Sequence, residues 1–290
     1  MLSKRRARVQ WVIAAVVVLL TVALLALNPT NTALEITRVS LESPLVTTPL
    51  RIAVISDVHG SFYGAGGAEL VNAVKEARPD MVVFTGDTLE YRQPIANAEA
   101  IIAGVAELPS FAVLGNHEFY LQRHYDGDPL RTPTLVLEPF AASGVPVLRG
   151  ECVEFAEVLV CGIDDPITTS RFRYPQQLAA VSAEAEGFDG FTILLAHRPE
   201  RIGEYLSFDL ALSGHAHGGQ WRIPGVLPQG IYAPHQGLLP QKTSGLFSQG
   251  DTWLLVSRGL ALQTPLGSTR ISVPRIFNRP ELVVLDLLPV

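Results

Sequence analysis

The sequence predicts a layered α/β domain preceded by one apolar N-terminal helix, and three observations carry that reading. Short apolar runs bounded by turn residues alternate with helical patterns from residue 51 onward. Polar residues able to bind metal stand directly behind five of those runs. An uncharged run, "WVIAAVVVLLTVALLAL", fills Trp11 to Leu27 near the amino terminus.

The N-terminal elements come first. Residues 1–10 form a basic segment with Lys4, Arg5, Arg6 and Arg8. Residues 11–28 are expected to be a transmembrane anchor, since their length approaches the roughly 20 residues that cross a bilayer. A cleaved signal peptide would have a shorter apolar region and a small-residue cleavage site, and "ALLALNPTN" offers none. The basic cluster is expected to stay in the cytoplasm. The chain is therefore expected to be a single-pass cell-membrane protein with the domain that follows the anchor extracytoplasmic. Residues 29–50, with Pro29, Pro44 and Pro49, form a linker and first strand region, and residues 51–290 form the globular domain.

Within that domain "RIAVI" (51–55), "MVVF" (81–84), "FAVL" (111–114), "TILLA" (192–196) and "LALS" (210–213) read as buried strands. "GAELVNAVKEA", "NAEAIIAGVAEL", "TPTLVLEPFAASG", "PQQLAAVSAEAEG" and "RIGEYL" read as the helices between them. Two late strands, "TWLLVS" (252–257) and "ELVVLDL" (281–287), follow a proline- and glycine-rich stretch. No second domain is evident.

Four of the 22 basic residues lie in the first ten positions, so the remainder carries 18 basic against 28 acidic side chains. Such a domain has no general electrostatic attraction for nucleic acid. Any affinity for phosphate must come from local positive charge, which bound metal would supply. Cys152 and Cys161 would face each other if 151–155 and 158–162 formed a hairpin through Ala156-Glu157. "AE" is a poor two-residue turn, which favours two buried thiols over a disulfide.

The strand ends are the informative positions. Asp57 and His59 follow the first strand, Asp87 the second, and Asn116 and His117 the third; His197 ends the fourth, and His215 and His217 follow the fifth. Ligand sites in α/β sheets form beyond the carboxyl ends of strands. Any one of these residues alone would be an ordinary capping group. Together they bring five of the seven histidines to one edge. In "GHAHGGQ" two imidazoles stand at i and i+2, which point the same way from an extended backbone. Gly214, Gly218 and Gly219 free the chain for the tight path that both rings require.

The ordered set "DVH … GD … GNHE … H … GHAHGGQ" resembles the calcineurin-like metallophosphoesterase superfamily over residues 51 to about 221. "GHAHGGQWRIPG", "VSRGL" and "RPELVVLDL" are similar to its bacterial membrane-anchored branch, which includes phosphodiesterases and lipid-sugar-nucleotide pyrophosphatases. The resemblance implies a β-sandwich flanked by helices with a dinuclear site at its edge. It implies that Asp57, His59 and His217 hold one ion and that Asn116, His197 and His215 hold the other. Asp87 would bridge the two, and His117 would face the substrate as leaving-group acid or transition-state stabiliser.

The chemistry of these residue types agrees. Two divalent ions about 3.5–4 Å apart can share a hydroxide and clamp a phosphate for in-line attack. Nitrogen and oxygen donors without thiolate suit Mn above all, and also Fe, Zn or Ni. The expected function is therefore metal-dependent hydrolysis of a phosphate ester, a diester or pyrophosphate first, with a lipid-linked substrate suggested by the anchor. A phosphomonoesterase on the same metals and a metal-stabilised binding module without catalysis are the alternatives. Arg198, Arg258, Tyr91 and Arg92 are weaker candidates for substrate contact. Phe119 and Tyr120 read as packing residues, and His124 and His235 as structural or exposed.

Overall fold

The structure, a computed structural model, describes residues 2–126, 134–167, 169, 173–265 and 272–290. Its helices are α1 (Leu2–Ala26), α2 (Ala68–Ala77), α3 (Ile95–Val105), α4 (Asn116–Asp126), α5 (Thr134–Ala142) and α6 (Arg173–Glu186). The first eight strands are β1 (Glu35–Ser43), β2 (Leu50–Ile55), β3 (Met81–Phe84), β4 (Ser110–Ala112), β5 (Glu151–Phe155), β6 (Val158–Gly162), β7 (Phe191–Leu195) and β8 (Leu210–Ser213). The rest are β9 (Tyr232–Ala233), β10 (Gly237–Leu238), β11 (Gly245–Gln249), β12 (Thr252–Val256), β13 (Gln263–Pro265), β14 (Ser272–Pro274) and β15 (Glu281–Pro289).

The apolar runs pair into two sheets. One has the order β1-β15-β2-β3-β4 and is parallel except where β15 meets β2. The other has the order β11-β12-β8-β7-β6-β5, with a parallel centre and an antiparallel strand at each edge. Alternate residues of each central strand face opposite ways. Ile52, Val54 and Val83 of the first sheet therefore meet Val160, Ile193, Leu195 and Leu212 of the second in a core between the sheets. Ala53, Ile55, Val82 and Phe84 point outward onto α2, α3 and α5. Leu194 and Ala211 do the same under α6. Both faces of each central strand are covered, which is why these strands read as unbroken apolar runs. Each such Val, Leu or Ile contributes about 1.5–3 kcal/mol.

The helices bury the stripe that their spacing dictates. In α2 Leu70, Val71, Val74 and Ala77 are buried, and in α3 Ala98, Ile101, Ile102 and Val105. The expected sandwich flanked by helices is thus the observed one.

Several local expectations differ from the structure. "RIGEYL" is no α-helix; a 3-10 helix spans Pro199–Glu204, short and holding Gly203. Helix α4 has no counterpart among the expected helices, because "NHEFYLQRHYD" has no apolar periodicity. Strand β1 runs parallel to β15, pairing Glu35 with Glu281 at a sequence distance no local pattern reports. Cys152 and Cys161 are bonded, not free thiols. The hairpin closes because Ala156 and Glu157 both take positive φ, 46° and 65°, as a tight two-residue turn demands.

The N-terminal span differs too. Among the described residues no helix is long and apolar enough to cross a membrane. The helix that carries the apolar run ends at Ala26, short of the expected 28, because Asn28 caps a 3-10 turn that starts at Pro29.

Candidate metal centre and active site

The carboxyl ends of β2, β3, β4, β7 and β8 converge at one edge of the sandwich, and backbone hydrogen bonds lock the following turns together. The Asp57 N–H donates to the Gly86 carbonyl at 3.0 Å and the His59 N–H to the Asp87 carbonyl at 2.9 Å. The Gly214 N–H donates to the His197 carbonyl at 3.1 Å, which ties the last two strand ends. Asp57, His59, Asp87, His215 and His217 all have positive φ between 47° and 64°. Non-glycine residues rarely adopt this region, and clusters of them mark sites where the surroundings override local preference.

All eight positions singled out from the sequence meet here, each buried. Asp57, His59, Asp87 and His217 place one donor atom each within 4.8 Å of one another, and Asp87, His197 and His215 do the same. Asp87 belongs to both groups. Its Oδ2 lies 3.6 Å from His59 Nε2 and 3.2 Å from His197 Nε2. On the first side His217 Nε2 is 3.5 Å from Asp57 Oδ1. On the second, His215 Nδ1 is 3.2 Å from His197 Nε2. The two imidazoles of "GHAH" therefore serve different sides. They do not leave an extended strand together: His215 has φ 64°, and a 3-10 turn begins at His217. Gly214 makes the crossing possible, because a Cβ there would overlap Ser56 Oγ and Asp57 Oδ2.

Two carboxylates that the sequence reading left unassigned organise the centre. Glu118 accepts the backbone N–H groups of Asp87, Thr88, Leu89 and Gly115 at 2.6–2.9 Å, welding the β3 and β4 turns together. Burial and the Asp87 charge still push its carboxyl up to about 7. Glu90 Oε2 lies 2.6 Å from His117 Nδ1 and 3.4 Å from His59 Nδ1, and it also accepts from Arg92. Burial would raise the Glu90 pKa, but these partners outweigh it and hold the carboxyl well below its usual range. The available signals were the third position after Asp87 in "GDTLE" and the last of "GNHE".

The charges are unequal across the centre. Burial lowers the His117 pKa, yet Asp87 and Glu90 more than compensate and raise it. The same contest, won by Asp87, pushes His197 up to about 10. Burial and a neighbouring histidine hold His215 and His217 well below the ordinary imidazole value. His197 Nδ1 donates to the Thr85 carbonyl at 2.9 Å, which leaves Nε2 facing Asp87.

Metal fits this donor set. His59 Nε2 and Asn116 Oδ1 are buried with no hydrogen-bond partner, although groups so placed are almost always satisfied. Four imidazoles, two carboxylates and an amide oxygen, with Asp87 in both donor groups, are what borderline divalent cations take.

The chain from residue 50 to 219 matches the calcineurin-like phosphoesterase family. It belongs to that family. It is 35% identical to a metallophosphoesterase of Aquifex aeolicus over 83% of this chain and 85% of that protein. It is 26% identical to the metallophosphoesterase YkuE of Bacillus subtilis, over 88% and 85% of the two chains. The phosphodiesterase YaeI of Escherichia coli is 25% identical over 82% of each. The chain is thus a metal-dependent phosphoester hydrolase by family.

A cavity of about 430 Å³ opens over the centre, lined by residues that include His117, Tyr120, His215, Tyr232 and His235. Tyr120 is therefore a wall of the site as well as a packing residue. His235, read as structural or exposed, stands with Nδ1 2.9 Å from His215 Nε2. Exposed His124 stacks on Tyr91. Arg198 is buried against Asp165 at 2.5 Å, and Arg258 pairs with Glu281 at 2.9 Å, so both are engaged within the fold.

Proposed function

We propose that this metallophosphoesterase hydrolyses phosphodiesters with two divalent cations, manganese first among the candidates. Asp57, His59 and His217 would hold one ion, and Asn116, His197 and His215 the other, with Asp87 between them. The observation that carries the assignment is the membership of Asp87 in both donor groups. Two cations so held would polarise the phosphoryl oxygens and activate a water as nucleophile.

The protein's own groups do the rest. The Glu118 carboxylate fixes the backbone of Asp87, and the His117 N–H donates to Asp87 Oδ1 at 2.7 Å, aiming the N-terminal end of α4 at that carboxylate. The Glu90 carboxylate receives His117 Nδ1–H, which orients the ring and keeps it protonated. The other ring nitrogen of His117 is left for the leaving-group oxygen in the cavity. A general acid so placed contributes about 10²–10⁴ in rate.

Support for a diester comes from the likeness to the Escherichia coli phosphodiesterase and from the cavity. Tyr120, Tyr232 and Pro234 line it, and among its described lining residues there is no lysine or arginine to receive a further phosphate. The test uses the full chain, stripped with chelator and refilled with Mn²⁺. Bis-p-nitrophenyl phosphate should be cleaved faster than p-nitrophenyl phosphate, and Asp87→Asn should lose both turnover and bound ions. Faster cleavage of the monoester would replace the reading by that of a phosphatase.

We also infer that the chain resides at the cell membrane with the domain outside and with lipid-linked esters in reach. The apolar side chains of α1 are uncovered, Trp11, Leu19 and Leu24 among them at 77%, 68% and 71% exposed, and Lys4, Arg5, Arg6 and Arg8 stand at the N-terminal end of that helix, ahead of its apolar run. Alkaline phosphatase fused to the carboxyl terminus should be active in cells. Fluorescence of a green fluorescent protein fusion in place of that activity would reverse the orientation.

A further inference from the structure

The His235 side chain has no place in the family reading, yet it touches a proposed ligand. His215 directs Nδ1 toward His197 and the Asp87 side, and Nε2 toward His235 Nδ1 at 2.9 Å. The two rings lie nearly parallel, with 5.1 Å between centroids and 28° between planes. His235 pays for this with a left-handed backbone, φ 59°. Its hairpin is braced from both sides. The Ile231 N–H donates to the Gly219 carbonyl, the Leu239 N–H to the Ile231 carbonyl, and Gln236 exchanges hydrogen bonds with Lys242. A strained residue on a braced turn persists only where its surroundings determine it.

We propose that His235 is a positioning residue of the metal centre, selecting the His215 tautomer whose Nδ1 is free for an ion. The inference rests on the dinuclear reading above. A neutral imidazole carries one proton, so a His215 that binds through Nδ1 has its proton on Nε2. That proton is donated to His235 Nδ1. Ligating histidines regularly donate the second N–H to a carboxylate, carbonyl or water, which fixes the ring and raises its basicity as a ligand. Here an imidazole does it. With its Nδ1 accepting, His235 must carry its own proton on Nε2, so the ring that lines the cavity offers it a donor. The polarity runs one way, from the ion outward through His215 and His235 to the substrate side.

Titration of the metal-free full chain in detergent with Mn²⁺ tests this, comparing wild type, His235→Ala and His235→Asn. An asparagine places Oδ1 where the imidazole has Nδ1 and can accept the same proton. Wild type should bind two ions. His235→Ala should bind one of them about 10–100-fold more weakly, while His235→Asn stays within about threefold of wild type. The thermal midpoint of the metal-free chain should be the same in all three, because the ring is half exposed (48% of its side chain) and fills no core space. Wild-type affinity for both ions in His235→Ala overturns the inference. So does a metal-free midpoint that falls in step with the affinity, since that marks a merely structural role. Three ions in wild type and two in His235→Ala would make Glu200, His215 and His235 a metal site of their own, and would overturn it as well. A wild-type chain that binds no ion overturns the dinuclear reading and this inference with it.

Discussion

Glu90 Oε2 sits 2.6 Å from His117 Nδ1, and the same oxygen is 3.4 Å from His59 Nδ1. One carboxylate thus orients the proposed acid and one of the proposed metal ligands. Glu90→Gln keeps the shape and removes the charge that holds His117 protonated. Turnover should fall about 10–100-fold, with two ions still bound at saturating Mn²⁺. Unchanged turnover at full metal content would remove Glu90 from the mechanism.

The four N–H groups on Glu118 make a different prediction. A glutamine there must turn its amide NH₂ toward some of those donors, leaving them unsatisfied in a buried place. Glu118→Gln should cost about 1–3 kcal/mol of stability. That lowers the thermal midpoint by several degrees, since about 1 kcal/mol shifts a domain of this size by roughly 2–4 °C. A midpoint equal to wild type would mean that the β3 and β4 turns hold without it.

Gly214→Ala tests the close approach of two strand ends. The added methyl overlaps Ser56 Oγ and the Asp57 carboxylate, and overpacking of this kind costs about 1–3 kcal/mol. Because Asp57 also accepts the His215 N–H at 3.0 Å, metal affinity should fall along with stability. A variant that binds Mn²⁺ as wild type does would show that the turn can relax.

Without metal, stability should depend on pH through His197. Its folded pKa of about 10 exceeds the ordinary 6.5, burial lowering it and Asp87 raising it by more. The folded state therefore holds a proton that the unfolded chain releases above pH 6.5. This contribution is complete below about pH 6.5 and is lost as pH rises through about 10. His215 and His217 work in the opposite sense: their depressed values withhold protons that the unfolded chain binds, so stability falls below pH 6.5. Thermal midpoints in chelator should drop on both sides of that pH. If His197 holds an ion as proposed, metal has to displace its proton, so Mn²⁺ should bind more tightly as pH rises and should release protons into weak buffer. A flat midpoint between pH 7 and 9.5 would contradict the His197 assignment.

The amino-acid order alone contained the central strands, most helices and the eight residues that meet at the sheet edge. These were legible because a strand covered on both faces must be apolar throughout, and because chemistry-bearing residues follow such strands in an ordered set. Other features depended on contacts distant along the chain. Strand β1 finds its partner at the other terminus, and Glu90 and Glu118 acquire their roles only when three turns pack. The same holds for the two sides to which His215 and His217 turn. Spacing suggested a shared direction, but positive φ at both residues, permitted by the close packing of Gly214 on Asp57, sends the rings apart. His235 is the clearest case. It lies outside every motif, and a hairpin braced against the turn after His217 brings it within hydrogen-bond distance of His215. Local pattern records what each segment buries, whereas the partners of a polar group are settled by tertiary packing.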